Sequence, residues 1–375
     1  MLPTSSSKIP SCLLQTCRVQ TGACKRTIRL PFFRLYSSRP VNQVEKDPSA
    51  RPKVTIHHIQ KMYKKKEPIT MITAQDYPSA LFADRAGIDT CLVGDSLGMV
   101  ELGYETTVPL TIDEILHHCR AVARGAKASF KIADLPFGTY EIGADIALKN
   151  AIRLIKEGNM EAVKMEGGAE IADIIHRMTS VGIPVLGHIG LTPQRQSSLG
   201  GYRVQGKTAA KTKQLLEDAL QLQKAGCFAV VLEAVPEASA SYVTERLKIP
   251  TIGIGAGSGC SGQVLVQNDM LGMFDRFMPR FCKQYADLSS IITNALREYH
   301  EDVKLRRFPG PEHCYPMAEG EVNKLKEMIA KEKAINDSKI ALESRVNGTS
   351  IPNQIEISEE FEEEEPLKKA QIGGF

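Results

Sequence analysis

Several common signals are missing from this 375-residue chain, and each absence closes off a class of function. Neither sign of charge dominates: 47 Lys and Arg stand against 44 Asp and Glu, with no RNA- or DNA-binding signature. Nucleic acid is therefore not expected as a partner. The longest apolar runs are only strand-length, so no transmembrane helix and no membrane partner are expected. None of the nine cysteines belongs to a C-x-x-C. Cys12, Cys17 and Cys24 fall near the N-terminus and the other six are scattered, which suits core or surface thiols in a reducing compartment better than a metal or disulfide framework. The adjacent pairs His57-His58 and His117-His118 point their side chains apart on a strand or helix, and read as structural or surface residues. No G-x-G-x-x-G follows the first predicted strand, which removes the main support for a dinucleotide fold.

What is present is a chain with two unusual ends and a regular middle. Residues 1 to 44 hold seven Lys or Arg, many Ser and Thr, and no acidic residue. That composition predicts a mitochondrial transit peptide and disordered linker, and hence a location in the matrix. Arg34-Leu-Tyr-Ser-Ser38 resembles a processing site that would start the mature chain near Ser37; a plain basic arm is the alternative. At the other end, residues 317 to 375 form a charged extension. Residues 319 to 345 predict a solvated helix, and the block Glu359-Glu-Phe-Glu-Glu-Glu-Glu365 predicts disorder.

Between these ends, short β-rich runs alternate with helical segments. The predicted strands are TMITA (70–74), TCLVG (90–94), FKIAD (130–134), AVKME (162–166), PVLGH (184–188), AVVLE (229–233) and PTIGIG (250–255), with a weaker eighth near MLGM (270–273). Segments such as ADIALKNAIRLIKEG are apolar at helical spacing and end in Gly. Alternation of this kind predicts right-handed βαβ units and a parallel sheet, and the size suits a (β/α)8 TIM barrel over residues 52 to 316. A doubly wound open sheet is the runner-up.

In a barrel the active site lies at the C-terminal ends of the strands, and those ends carry ionisable groups. Asp95 and Ser96 follow strand two, Asp134 ends strand three, Lys164 and Glu166 lie on strand four, His188 on strand five and Glu233 ends strand six. Asp and Ser after strands also cap helices, so any one of them alone says little. The period of two sends Lys164 and Glu166 to the same face, an awkward pair for an apolar core. Asp95, Asp134 and Glu166 offer the hard oxygen ligands that suit Mg²⁺ or another divalent cation. Such an ion could chelate a 2-oxo acid, with Lys164 neutralising its carboxylate or a developing enolate oxygen. Glu233 closes the apolar run AVVLE, where burial would raise its pKa toward that of a general base; a carboxylate bracing the barrel against Lys or Arg is the alternative. His188, bracketed by glycines, would either contact substrate or orient an acid. The glycines of Gly253-Ile-Gly-Ala-Gly257 would grip phosphate or simply admit a ligand closely.

Taken together, GDSLGM (94–99), ADLPF (133–137), VKMEGG (163–168), GHIGLTPQ (187–194), GGYRVQGK (200–207), LEAVP (232–236), IGIGAG (252–257) and FPGPEHCYP (308–316) resemble, in order and spacing, the ketopantoate hydroxymethyltransferase family. The resemblance implies a barrel of the phosphoenolpyruvate/pyruvate type, Mg²⁺, and 5,10-methylenetetrahydrofolate as one-carbon donor to 3-methyl-2-oxobutanoate. It implies Asp95, Asp134 and Glu166 at the metal, Asp95, Ser96, Asp134 and Lys164 at the 2-oxo acid, and Glu233 as proton acceptor. It also implies a homo-oligomer. Gln75, where Tyr is frequent in the family, and Ser261, where Asp is common, depart from the pattern. On residues alone, a carbon–carbon lyase or mutase acting on another 2-oxo acid uses the same enolate chemistry, and a barrel that only binds is a third reading.

Overall fold

The computed structural model describes residues 51–273 and 278–346. The transit segment expected at 1–44 and the disordered acidic block expected at 359–365 lie outside the described residues. Eight parallel strands close into a barrel in sequence order: β1 (Ile69–Thr73), β2 (Thr90–Val93), β3 (Phe130–Asp134), β4 (Ala162–Glu166), β5 (Val185–Gly190), β6 (Ala229–Glu233), β7 (Thr251–Ile254) and β8 (Gly262–Leu265). The (β/α)8 expectation holds.

Strand periodicity sorts the side chains into two populations. Ile69 and Met71 of β1, Leu92, Phe130 and Ile132, Ala162, Leu186, Ala229 and Val231, Ile252 and Ile254, and Val264 form one apolar cluster drawn from all eight strands, which is the barrel interior. Ile59, from the helix Ile56–Lys65, belongs to the same cluster and plugs the N-terminal end of the barrel. The intervening residues, among them Val93, Ala133, Val163, Met165, Val230 and Leu232, pack outward on the helices. Those helices begin where capping residues permit: Thr111 and Glu114 form a reciprocal capping box at Ile112–Gly125, and Thr208 caps Ala209–Lys224. Counting inward positions up each strand leaves Asp134, Lys164, Glu166, His188 and Glu233 stacked above the apolar layers, at the C-terminal mouth.

One strand was misplaced by the sequence reading. The eighth is GQVL at 262–265, whereas MLGM straddles the end of a short helix, Gln267–Met270, and the turn after it. The true strand escaped notice because its outward Gln263 is polar and exposed, so only Val264 and Leu265 carry apolar signal. Between β7 and β8, residues 255–261 contain no helix, and an open groove of about 720 Å³ remains there, edged by Pro68, Cys260, Gln263 and Phe281.

Asp269 is a local weakness of this architecture. It is buried after β8, and among the described residues its Oδ1 has no hydrogen-bond partner. Burial pushes its carboxyl from 3.8 up to about 6. An acid held more weakly ionised in the native than in the unfolded chain makes stability fall as pH rises between those two values. Asp269→Asn is therefore expected to raise the unfolding free energy at pH 7.5 by about 1–3 kcal/mol. The gain should vanish below about pH 4 when urea titrations are repeated across pH.

Candidate active site

At the mouth, strand register sets the contacts. Asp134 of β3 faces Lys164 of β4, Glu166 of β4 faces His188 of β5, and Glu233 of β6 lies opposite Gly190 of β5. Lys164 Nζ stands 2.8 Å from Asp134 Oδ1 and 3.9 Å from Glu166 Oε1. His188 bridges two carboxylates, with Nδ1 3.3 Å from Glu166 Oε1 and Nε2 3.2 Å from Glu233 Oε2. Asp95 enters from the turn after β2, where its backbone N–H donates to Asp134 Oδ2 at 2.9 Å. Every predicted ionisable site residue thus belongs to one connected network.

The neighbouring backbone is shaped to allow this. Gly190 has φ +98°, and a Cβ there would strike the Glu233 carbonyl, so β5 and β6 approach closely only with glycine at that position. Gly167, at φ +144°, turns the chain sharply after Glu166, and a Cβ would run into Arg195 and Glu170. Ser96 precedes the short helix Leu97–Val100 but makes no side-chain cap, which leaves its hydroxyl for other use. Glu233 is largely buried, its side chain keeping 15% of its surface where the end of β6 meets the mouth. Its partner is an imidazole, not the bracing Lys or Arg that was the alternative.

Electrostatics show a shortage of positive charge. Burial, together with the negative charge of Glu166, raises the Asp95 carboxyl above the usual range despite Lys164 and the Gln194 amide. Burial outweighs the pull of Lys164 and, with Asp95 adding to it, pushes Asp134 up to about 6. Burial would lower Lys164, but Asp134, Asp95 and Glu166 prevail and hold its ammonium above the ordinary lysine value. His188 behaves alike: burial is overcome by Glu166 and Glu233, and its pKa rises to about 9. Among the described residues, Asp134 Oδ1 and Glu166 Oε1 are served only by the ion-pair contacts of Lys164 and His188.

A buried cluster in which four carboxylates outnumber two cationic groups fits a divalent cation. Among the described residues no three His, Cys, Asp or Glu side chains converge closely enough to enclose a metal on their own. Mg²⁺ does not require such a cage, because it keeps waters and takes one or two carboxylates directly. Asp95 and Asp134 stand side by side, with Glu166 reached across Lys164.

Two residues that sequence reasoning passed over complete the network. Gln194 spans Asp95, Leu135 and Glu166, and the Tyr140 hydroxyl reaches Gln194. Gln194 sat unassigned at the end of GHIGLTPQ, while Tyr140, in a loop after β3, carried no local signal. The departures at Gln75 and Ser261 lie apart from this cluster: Gln75 bonds to Asn268, and Ser261 ties the start of β7 to the start of β1.

Comparison with known proteins gives the family. A sequence model described as ketopantoate hydroxymethyltransferase matches residues 53–311. The chain belongs to that family. A 3-methyl-2-oxobutanoate hydroxymethyltransferase of Emericella nidulans is 51% identical over 303 residues, covering 80% of this chain and 84% of its own. An Arabidopsis thaliana relative named 3-methyl-2-oxobutanoate hydroxymethyltransferase 1, mitochondrial, is 49% identical over 302 residues, covering 78% and 87%. Among solved structures, 2,3-dimethylmalate lyase, titled a PEP mutase/isocitrate lyase superfamily member, aligns at 15% identity with a TM-score of 0.45, over 76% of this chain and 100% of that one. The ketopantoate hydroxymethyltransferase match contains all seven predicted site residues, from Asp95 to Glu233.

A cation accommodated by this cluster should stabilise the fold by mass action. At a hundred times its Kd, Mg²⁺ or Mn²⁺ is expected to add about 2.7 kcal/mol. Scanning fluorimetry should show a rise in Tm that EDTA reverses and that Asp134→Asn abolishes; a melting curve indifferent to divalent ions would remove the cation from the site.

Proposed function

We propose that this protein transfers a hydroxymethyl group from 5,10-methylenetetrahydrofolate to 3-methyl-2-oxobutanoate, giving 2-dehydropantoate for pantothenate and coenzyme A synthesis. The observation that carries the reading is a cation-deficient carboxylate cluster with Glu233 set apart from it across His188. Membership of the family and the names of its relatives supply the substrate.

Asp95, Asp134 and Glu166 would hold Mg²⁺ or another divalent cation. Bound there, such an ion polarises the 2-oxo group and acidifies the proton on C3. Asp95, Ser96, Asp134 and Lys164 surround the place where the 2-oxo acid binds. Glu233 accepts the C3 proton, and its partly open position leaves it accessible to substrate. His188, between Glu166 and Glu233, orients the base rather than acting as one. Lys164 places an ammonium where negative charge develops on the enolate oxygen. Carbon C3 then bonds to the folate methylene carbon as that carbon's bond to one of its two folate nitrogens opens and the freed nitrogen takes a proton. Water then replaces the second nitrogen, which is protonated in turn, leaving the hydroxymethyl group on C3 and releasing tetrahydrofolate.

The decisive assay supplies 3-methyl-2-oxobutanoate and Mg²⁺ with and without methylenetetrahydrofolate. Turnover is expected only with the folate; carbon–carbon cleavage without it would establish the lyase reading instead. Glu233→Gln should lower kcat by about 10²–10⁴-fold. Binding of Mn²⁺ and the 2-oxo acid should survive, and undiminished turnover would take Glu233 out of the base role.

The assembly proposed is a homo-oligomer. The helix Leu288–Lys304 has an apolar stripe along Ile292, Leu296, Tyr299 and Val303, yet none of its residues is buried within the chain. A stripe of this kind gains stability only against another surface, and a second copy supplies one. Leu296, 62% exposed, gives the test: Leu296→Asp should shift the light-scattering mass toward monomer without lowering the barrel's own folding. The matrix is the compartment proposed, from the composition of residues 1 to 44 and the mitochondrial relative.

A further inference from the structure

Gln194 is a neutral side chain at the centre of a charged site. It lies in the short 3₁₀ turn Pro193–Arg195 after β5 and is buried. Its Nε2 donates to Asp95 Oδ2 at 2.8 Å and to the Leu135 carbonyl at 3.0 Å. Its backbone N–H donates to Glu166 Oε2 at 3.0 Å. The hydroxyl of the fully buried Tyr140 donates to Gln194 Oε1 at 2.6 Å, and lies 3.1 Å from the Glu166 carbonyl. One residue therefore touches the ends of β2, β3 and β4 from a turn that follows β5.

The partners allow the amide only one orientation. Were it flipped, Oε1 would face a carboxylate and a carbonyl, neither of which has a proton to give while Asp95 is ionised. With Nε2 held by Asp95 and Leu135, Oε1 is left facing the Tyr140 hydroxyl and is the nearer of its two acceptors, the other being the Glu166 carbonyl. Asp95 and Leu135 thus decide which end of the amide is which, and Tyr140 locks it in that orientation by donating to Oε1. Of the two Asp95 oxygens, Oδ2 is engaged in this way, which sets the direction of the other.

We propose that Gln194, locked by Tyr140, is a positioning residue that aims the Asp95 and Glu166 carboxylates at a common divalent cation and so tunes its affinity. The inference rests on the metal-dependent reading of the site given above. It acts through the carboxylates, since hydrogen bonds to metal-ligating groups orient them and typically change metal affinity by about 10–100-fold when removed. The backbone bond to Glu166 survives any substitution at position 194, so side-chain variants isolate the Asp95 arm.

The test is Mn²⁺ binding by electron paramagnetic resonance on the full chain, with Tm measured in parallel. Gln194→Ala should weaken Mn²⁺ by about 10–100-fold with the cation-free Tm little changed. Gln194→Glu has nearly the same shape, yet it directs a carboxylate at Asp95 and at the Leu135 carbonyl, and should bind Mn²⁺ no better than Gln194→Ala. A side chain that merely filled space would give the opposite order, with Glu milder than Ala, and that result overturns the proposal. Tyr140→Phe removes one oxygen and should weaken Mn²⁺ by about tenfold; wild-type affinity in this variant would refute the lock even if the Gln194 variants failed to fold. Wild-type protein that binds no Mn²⁺ would overturn the metal reading itself, and this proposal with it. Wild-type protein that binds Mn²⁺ with unchanged affinity in Gln194→Ala would overturn the positioning role alone.

Discussion

The carboxylates of Asp95, Asp134, Glu166 and Glu233 share one mouth of a barrel, with Lys164 and His188 threaded between them. Like charges removed from water repel strongly, and each must be paired, protonated or bound to an ion. Lys164 and His188 satisfy part of that demand, as the upward shifts of both show. The remainder is visible in Asp134 and Asp95, both displaced toward the neutral form. Such an imbalance persists only where the surrounding fold is stable enough to hold it.

That stability comes from a division along the strand axis. The lower inward positions are filled by Ile, Leu, Val, Met, Phe and Ala from every strand, and the outward positions pack on helices, so the backbone scaffold is complete before the mouth is reached. Charged inward residues appear only at the last positions, where packing no longer needs apolar side chains; Thr90, low on β2, is polar but bonds its hydroxyl to the Thr70 carbonyl. Stability and chemistry are thereby assigned to different layers of the same strands, the arrangement that lets barrels carry many reactions. The exposed helix Leu288–Lys304 and the bare β7–β8 groove stand outside this division, on surfaces where the chain's own core ends.

The legibility of this in the sequence varied with how local the signal was. AVKME and AVVLE were placed to the residue, because dense β-branched and apolar runs mark buried strands and the period of two assigns each side to a face. Lys164 and Glu166 stood out for the same reason, being charges where alternation demanded an inward residue. Strand β8 was missed because a short strand with a polar outward residue looks like a loop. Glu233 is largely but less completely buried than its neighbours, because an apolar run measures how deep a strand sits, not how far its final side chain emerges.

What the sequence alone determined is therefore the barrel, the strand ends and the acidic character of the mouth, since alternation and composition act within a few residues. Tertiary structure decided which of those groups meet. The bridge of His188 between Glu166 and Glu233, and the reach of Gln194 to Asp95 across 99 positions of chain, depend on register between neighbouring strands and on loop closure. Those relations arise only when the sheet curls shut, and no stretch of sequence contains them.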